Sequence, residues 1–228
     1  MMSNIFSTFD PATSMGTSLN WMSSMIVLLM IPGMYWVIPS RYNMITKILY
    51  SKIHTEFKTI MGPGNWGSSI VFVALFMYIL MNNLAGLMPY VFTSSAHMVF
   101  TLSLALPVWM SAMLFGWINR TQHMFAHMVP EGAMPALMPF LVCIETISNL
   151  IRPVSLSVRL MANMVAGHLF LCMLGNIIVN ASNTLFCISM IVELLLVTYE
   201  TAVAFIQAYV FFTLSALYMK EATTYDKT

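Results

Sequence analysis

The sequence predicts an all-α polytopic membrane protein, a single membrane domain over 1–228. It would have about five membrane helices and one amphipathic surface helix, the last two helices long, tilted and paired as an antiparallel hairpin. Three observations predict it. Fifty-nine percent of the 228 residues are hydrophobic and 7% are charged, against roughly 25% charged in soluble domains, so the chain cannot cover itself with a solvated surface. No Asp, Glu, Lys or Arg occurs between Lys58 and Arg120, which leaves room for two spans of about 20 residues each. The apolar runs do not alternate as the segments of about 10 residues in an outer-membrane barrel do.

The first span is expected over 19–38, "LNWMSSMIVLLMIPGMYWVI". Pro32 is accommodated there as a kink, and Trp21, Tyr35 and Trp36 stand near the ends as an aromatic belt. A cationic cluster follows: Arg41, Lys47, Lys52 and Lys58, opposed by Glu56. Between these, Ile45, Ile48, Leu49, Ile53, Phe57 and Ile60 recur at helical spacing. That makes 43–61 an amphipathic helix on the membrane surface; a solvated connector is the plainer alternative. "GPGNWG", Gly62–Gly67, ends it and lacks the lysine of a phosphate loop, so nucleotide binding is not indicated.

The second and third spans are expected over 69–91 and 97–118, with Asn82 and Asn83 hydrogen-bonded to another helix. Basic residues near the span ends put the 41–58 segment and Arg120 on one side. The positive-inside rule makes that the matrix or cytoplasmic side, with the N-terminus opposite. In "RTQHMFAHMVPEGAMP" His123, His127 and Glu131 are spaced four apart, as metal ligands on one helix face could be. Pro130 and Gly132 break the helix where the third ligand would need it, so no metal is assigned and the segment reads as a polar connector.

Net charge is +1, and nothing points to nucleic acid as a partner. Cys143, Cys172 and Cys187 sit inside apolar runs and read as buried free thiols rather than a disulfide framework or metal site. The 24 methionines suit a soft, adaptable lipid-facing surface. The opening "MMSNIFSTFD" has no basic region, so it reads as neither a secretory signal nor an Arg-rich transit peptide.

The fourth and fifth spans, expected over 135–176 and 184–219, differ in character because they carry ionisable groups. A forty-residue helix is about 60 Å long, twice the hydrocarbon thickness. The fourth span must therefore tilt steeply or break at Pro139 and Pro153. Glu145, Arg152 and Arg159 are seven apart and share one face, drifting about 20° per heptad; Ser148, Asn149, Ser155 and Asn163 lie near the same stripe. Glu193, Glu200 and Gln207 repeat the spacing in the last span, where Ala202, Ala204 and Ala208 permit close helix approach. An antiparallel hairpin around "NASNT", Asn180–Thr184, sets Arg159 opposite Gln207 and His168 opposite Glu200.

Polar stripes inside membrane helices face protein or water, and strings of ionisable groups mark proton relays. Histidine and glutamate exchange protons in the physiological range; arginine stays protonated. A relay interrupted by a permanent cation is two half-paths, not a pore. Arg152, beside Pro153, reads as a structural ion-pair partner, with Glu193 a candidate for the same role. Arg159 does not read that way. A secondary transporter would instead predict an internal repeat, and none is found.

At "SVRLMANMVAGH", "VCIETIS" and "ETAVAFIQAYVF", and also at "IPSRYN", "EFKT" and "MFAHMVP", the sequence resembles subunit a of the F-type ATP synthase in its animal mitochondrial form, over nearly the whole chain. The resemblance implies a stator subunit of the mitochondrial inner membrane whose two long tilted helices embrace a rotating ring of c subunits. It implies proton transport coupled to ATP synthesis, no active site and no cofactor in this chain, and partners in the c-ring, the peripheral stalk and other Fo membrane subunits. The N-terminus would face the intermembrane space and the C-terminus the matrix. By resemblance the essential arginine is Arg159, the matrix half-channel carboxylate Glu145, the intermembrane-side pair His168 and Glu200, and the glutamine facing the arginine Gln207. Bacterial members exchange the types at the 168 and 200 positions, which fits their contact. Met161 stands where threonine is usual and Glu131 where glutamine is frequent; Glu193 has no counterpart that carries over.

Overall fold

The computed structural model describes residues 5–13, 16–33, 37–62, 66–129, 134, 137–179 and 182–223. Among these, the helices are α1 (Met22–Met30), α2 (Arg41–Met61), α3 (Trp66–Gly86), α4 (Met98–Asn119), α5 (Thr121–His127), α6 (Met138–Val179) and α7 (Asn183–Thr223). Short 3-10 turns lie at Ile5–Phe9, Leu19–Trp21 and Ser94–Ala96. Helices α3, α4, α6 and α7 are long and apolar enough to cross a membrane, and no strand occurs among the described residues.

The first helix is shorter than the sequence predicts. Ile31 is extended, at φ −75° and ψ 116°, because the ring of Pro32 clashes with a helical conformation at the residue before it. The helix stops at Met30 instead of continuing through a kink. Tyr35 and Trp36, the expected anchors at its far end, lie outside the described residues.

Helix α2 starts at Ser40, whose hydroxyl accepts the Asn43 N–H at 3.3 Å as an N-cap. It ends at Gly62, where φ is 76°, a left-handed position open to glycine. Its buried stripe, Ile53, Phe57 and Met61, is covered by protein rather than by lipid headgroups. Phe57 stacks on Phe72 of α3 at 5.2 Å and lies 6.3 Å from Phe212 of α7. The N-terminal half instead exposes Ile45 and Ile48. Phe76, Ile79, Leu80, Leu156, Leu160, Ala208, Phe211 and Ala216 complete the core among α2, α3, α6 and α7. On α7 the small residues Ala204, Ala208 and Ala216 are fully buried, which lets neighbouring backbones approach; Ala202 is exposed.

Between α3 and α4, the Asn82 amide donates to the Tyr78 carbonyl at 2.9 Å and accepts the Ser94 hydroxyl at 3.2 Å. Its partners are its own helix and a 3-10 turn, not a second membrane helix. Asn83 is fully buried with neither amide atom hydrogen-bonded.

Helix α6 is continuous. Pro139 sits in its first turn, where a missing N–H costs nothing. Pro153 is interior and removes only the bond to the Asn149 carbonyl. Its 42 residues span about 63 Å at 1.5 Å per residue, unbroken at either proline. The cysteines are free, but Cys143 and Cys187 are exposed and Cys172 half-buried. The expectation of buried thiols fails because lipid is as apolar as a protein interior, so no driving force draws a small apolar side chain inward.

Candidate functional site

Helix α6 buries Pro153, Leu156, Ser157, Leu160 and Met164. At 3.6 residues per turn, Arg159 projects about 120° from the centre of that stripe, and it is exposed. Among the described residues no carboxylate lies within ion-pair distance of it; the ion pairs recorded on α6 belong to Arg152. Arg159 is thus a permanent cation presented on the outer flank of α6.

Starting about one turn further along, α6 and α7 line a cavity of about 330 Å³ that includes Asn163, Gly167, His168, Tyr199, Glu200 and Gln207 among others. That is room for roughly ten waters at about 30 Å³ each. Glu200 is buried, yet neither of its carboxyl oxygens is hydrogen-bonded, and nor is His168 Nε2. A polar cavity of this size has room for water beside those atoms. Phe9, in the first 3-10 turn, meets the His168 ring edge-on at 6.4 Å. Arg159, expected opposite Gln207, does not line this cavity; Asn163 does.

Gly167 leaves room for the Glu200 carboxyl against α6. A Cβ at that position would stand 2.5 Å from Glu200 Oε1 and 2.8 Å from Cδ, so the carboxyl end of that flexible side chain would have to shift. The sequence reading missed this residue, although a glycine inside a helix costs about 1 kcal/mol against alanine and so signals a packing reason.

At the other end of the hairpin, Arg152 Nη1 donates to Glu221 Oε2 of α7, its Nη2 lies 3.6 Å from Glu145 Oε1, and its guanidinium sits 5.3 Å above the Tyr218 ring. Arg152 is therefore paired in this structure, and Glu221, not Glu193, supplies the partner on α7. Asn149 is half-buried nearby, Ser148 is exposed, and Glu193 is half-buried away from both clusters. The side chains of His123 and His127, and Glu131 entirely, lie outside the described residues; among the described residues no group of three or more His, Cys, Asp or Glu could hold a metal.

Residues 16–220 match the family model of the ATP synthase A chain. The chain belongs to that family. It is 54% identical over 222 residues to ATP synthase subunit a of Drosophila melanogaster, covering 97% of this chain and 99% of that one. It is 54% identical over 225 residues to the subunit of Anopheles gambiae and 52% over 223 to that of Locusta migratoria, with the same coverage. As a member of the ATP synthase A-chain family, the chain carries its ionisable residues in an order fixed by one unbroken helix: the Glu145–Arg152 cluster, then Arg159, then His168.

Proposed function

We propose that the chain is the proton-translocating stator subunit of the membrane sector of an ATP synthase in the mitochondrial inner membrane, with two offset half-channels that load and unload carboxylates of a c-subunit ring. The observation that carries this reading is an exposed arginine without an ion-pair partner among the described residues, set between two clusters of proton-exchanging groups on one continuous helix. Arg159 is about 21 Å along α6 from Glu145 and about 13 Å from His168, at 1.5 Å per residue.

In the proposed cycle a proton enters from the intermembrane space, passes the cavity of His168 and Glu200, and neutralises a ring carboxylate. The neutral carboxylic acid can then turn into lipid, where an anion would cost far more. After nearly a full rotation it meets the matrix half-path and gives up its proton by way of Glu145. Arg159 attracts the resulting carboxylate and, being a permanent cation, blocks direct passage between the half-paths. Asn163, Gln207, Ser148 and Asn149 supply polar support. The chain carries no active site, and nucleotide chemistry takes place on other subunits. The positive-inside rule favours the N-terminus in the intermembrane space and the C-terminus in the matrix.

A cysteine at exposed Ala162, one turn from Arg159 in an otherwise cysteine-free chain, tests this reading. It should crosslink through a short reagent to a small c-type proteolipid in assembled complex, and the peripheral stalk and other Fo subunits should co-purify. An assembled complex with no proteolipid at this position would refute the assignment.

A further inference from the structure

The proposed cycle leaves the N-terminal 3-10 turn, Ile5–Phe9, without a role, yet this turn packs on α6. A short 3-10 turn has little stability of its own, and none of its residues is fully buried, so what holds it lies outside it. Behind Phe9 the chain is tied down. The Asp10 carboxylate accepts the Ala12 N–H at 2.9 Å, and the Asn20 amide donates to the Asp10 carbonyl at 3.4 Å. Thr13 donates to the Thr17 carbonyl through its N–H at 2.8 Å and its hydroxyl at 2.7 Å. These bonds anchor the segment to Leu19–Trp21, the turn that opens α1. In front, Phe9 is half-buried while Ile5 and Phe6 of the same turn are exposed. Its ring meets His168 at 6.4 Å and 84°, the edge-to-face geometry that aromatic pairs favour.

His168 therefore has two different surroundings. It lines, with Glu200, the cavity of about 330 Å³ between α6 and α7, and Phe9 is not among the residues that line it. The Phe9 ring thus covers a part of the imidazole that the cavity does not. His168 Nε2 is buried with no hydrogen-bond partner among the described residues, so no protein hydrogen bond at that atom fixes the rotation of the ring about χ2, a torsion with only a broad preference. An edge-to-face neighbour restricts it.

We propose that Phe9 is a positioning residue for His168: the anchored N-terminal turn sets an aromatic ring against the imidazole, restricts its rotation and shields it from bulk water, leaving the cavity shared with Glu200 as its route of proton exchange. This rests on the reading of His168 and Glu200 as the entry-side groups. Phe9 carries no proton itself. It acts through geometry, because a proton passes between heavy atoms about 2.6–3.2 Å apart or through one water, and an imidazole free to rotate spends part of its time out of reach.

The test uses the whole complex in mitoplasts, which expose the intermembrane-space face, with subunit content measured for each variant. Diethyl pyrocarbonate, which acylates accessible imidazole, is added outside. Its attachment to His168 is read by peptide mass spectrometry beside coupled ATP synthesis. Phe9→Ala should raise the rate of His168 labelling several-fold and slow synthesis about tenfold, short of the ~10²-fold of losing a general acid–base group. Phe9→Tyr should keep both near wild type. Phe9→Val serves if the alanine variant fails to assemble. In a His168→Asn background, Phe9→Ala should slow synthesis no further, since a residue that acts through another is not additive with it. An assembled Phe9→Ala or Phe9→Val complex with wild-type labelling of His168, or with wild-type synthesis, would overturn the proposal. So would a loss that Phe9→Tyr shares, or one of equal size in the His168→Asn background, since those are the outcomes of a purely structural role. His168→Asn alone separates the two readings: a normal rate there would refute the underlying entry reading, whereas a slow His168→Asn beside a normal Phe9→Ala would refute only the role of Phe9.

Discussion

At the scale of single residues, the closest constraint is the contact of Gly167 with Glu200. Gly167→Ala places a methyl group 2.5 Å from a carboxyl oxygen at the free end of a flexible side chain that lines a cavity, so the Glu200 carboxyl turns away. The variant should lower coupled synthesis while the assembled complex keeps its thermal stability; wild-type synthesis would contradict the contact described. His168 and Glu200 were legible in the sequence because ionisable side chains are rare in apolar runs and each one asks for a reason. Gly167 and Glu221 were not, because their partners lie 33 and 69 residues away and no local pattern names a partner at that distance. The ion-pair candidates read from the sequence were Arg152 and Glu193, whereas the partner of Arg152 on α7 is Glu221, a choice set by how α7 is placed against α6 and not by spacing along either helix.

At the scale of elements, α2 carries the clearest energetic claim. Phe57 is 1% exposed and contacts Phe72 and Phe212 from two different membrane helices. Phe57→Ala should cost about 3–5 kcal/mol, the range for a large aromatic removed from a packed core. Faster limited proteolysis within 41–61 of the assembled complex would report the undocking; unchanged cleavage would mean that lipid, not protein, holds this helix. Apolar runs and helical periodicity pointed to helices where α2, α3, α4, α6 and α7 lie, although α3 ends at Gly86, five residues before the expected 91. They failed at α1, where the steric effect of Pro32 on Ile31 outweighed a run of apolar residues. They left the continuity of α6 open, because whether an interior proline breaks a helix depends on the packing around it, and here Pro153 is buried.

At the scale of the whole molecule, α6 and α7 turn a broad apolar surface outward, including Val158, Leu194, Leu195, Phe205 and Ile206, and Arg159 is exposed as a cation with no carboxylate paired to it among the described residues. A charge so placed fits a partner anion that comes and goes. At 4 Å and an effective dielectric of 20, the attraction is about 4 kcal/mol, enough to hold a passing carboxylate ionised without locking it. At about 1.4 kcal/mol per tenfold, its loss predicts a fall in coupled turnover of up to roughly 10³-fold. Lysine should substitute poorly, since its point charge lacks the planar fork and loses its proton more readily in an apolar setting. Arg159→Gln should leave folding and assembly intact, because the side chain lies outside the buried stripe of α6. The decisive measurement is ATP synthesis and proton uptake in membranes where the Arg159→Gln complex is demonstrably assembled. Coupled synthesis should be abolished while the detached catalytic head still hydrolyses ATP; near-normal coupled synthesis by the assembled variant would contradict the claim that Arg159 separates the two half-paths.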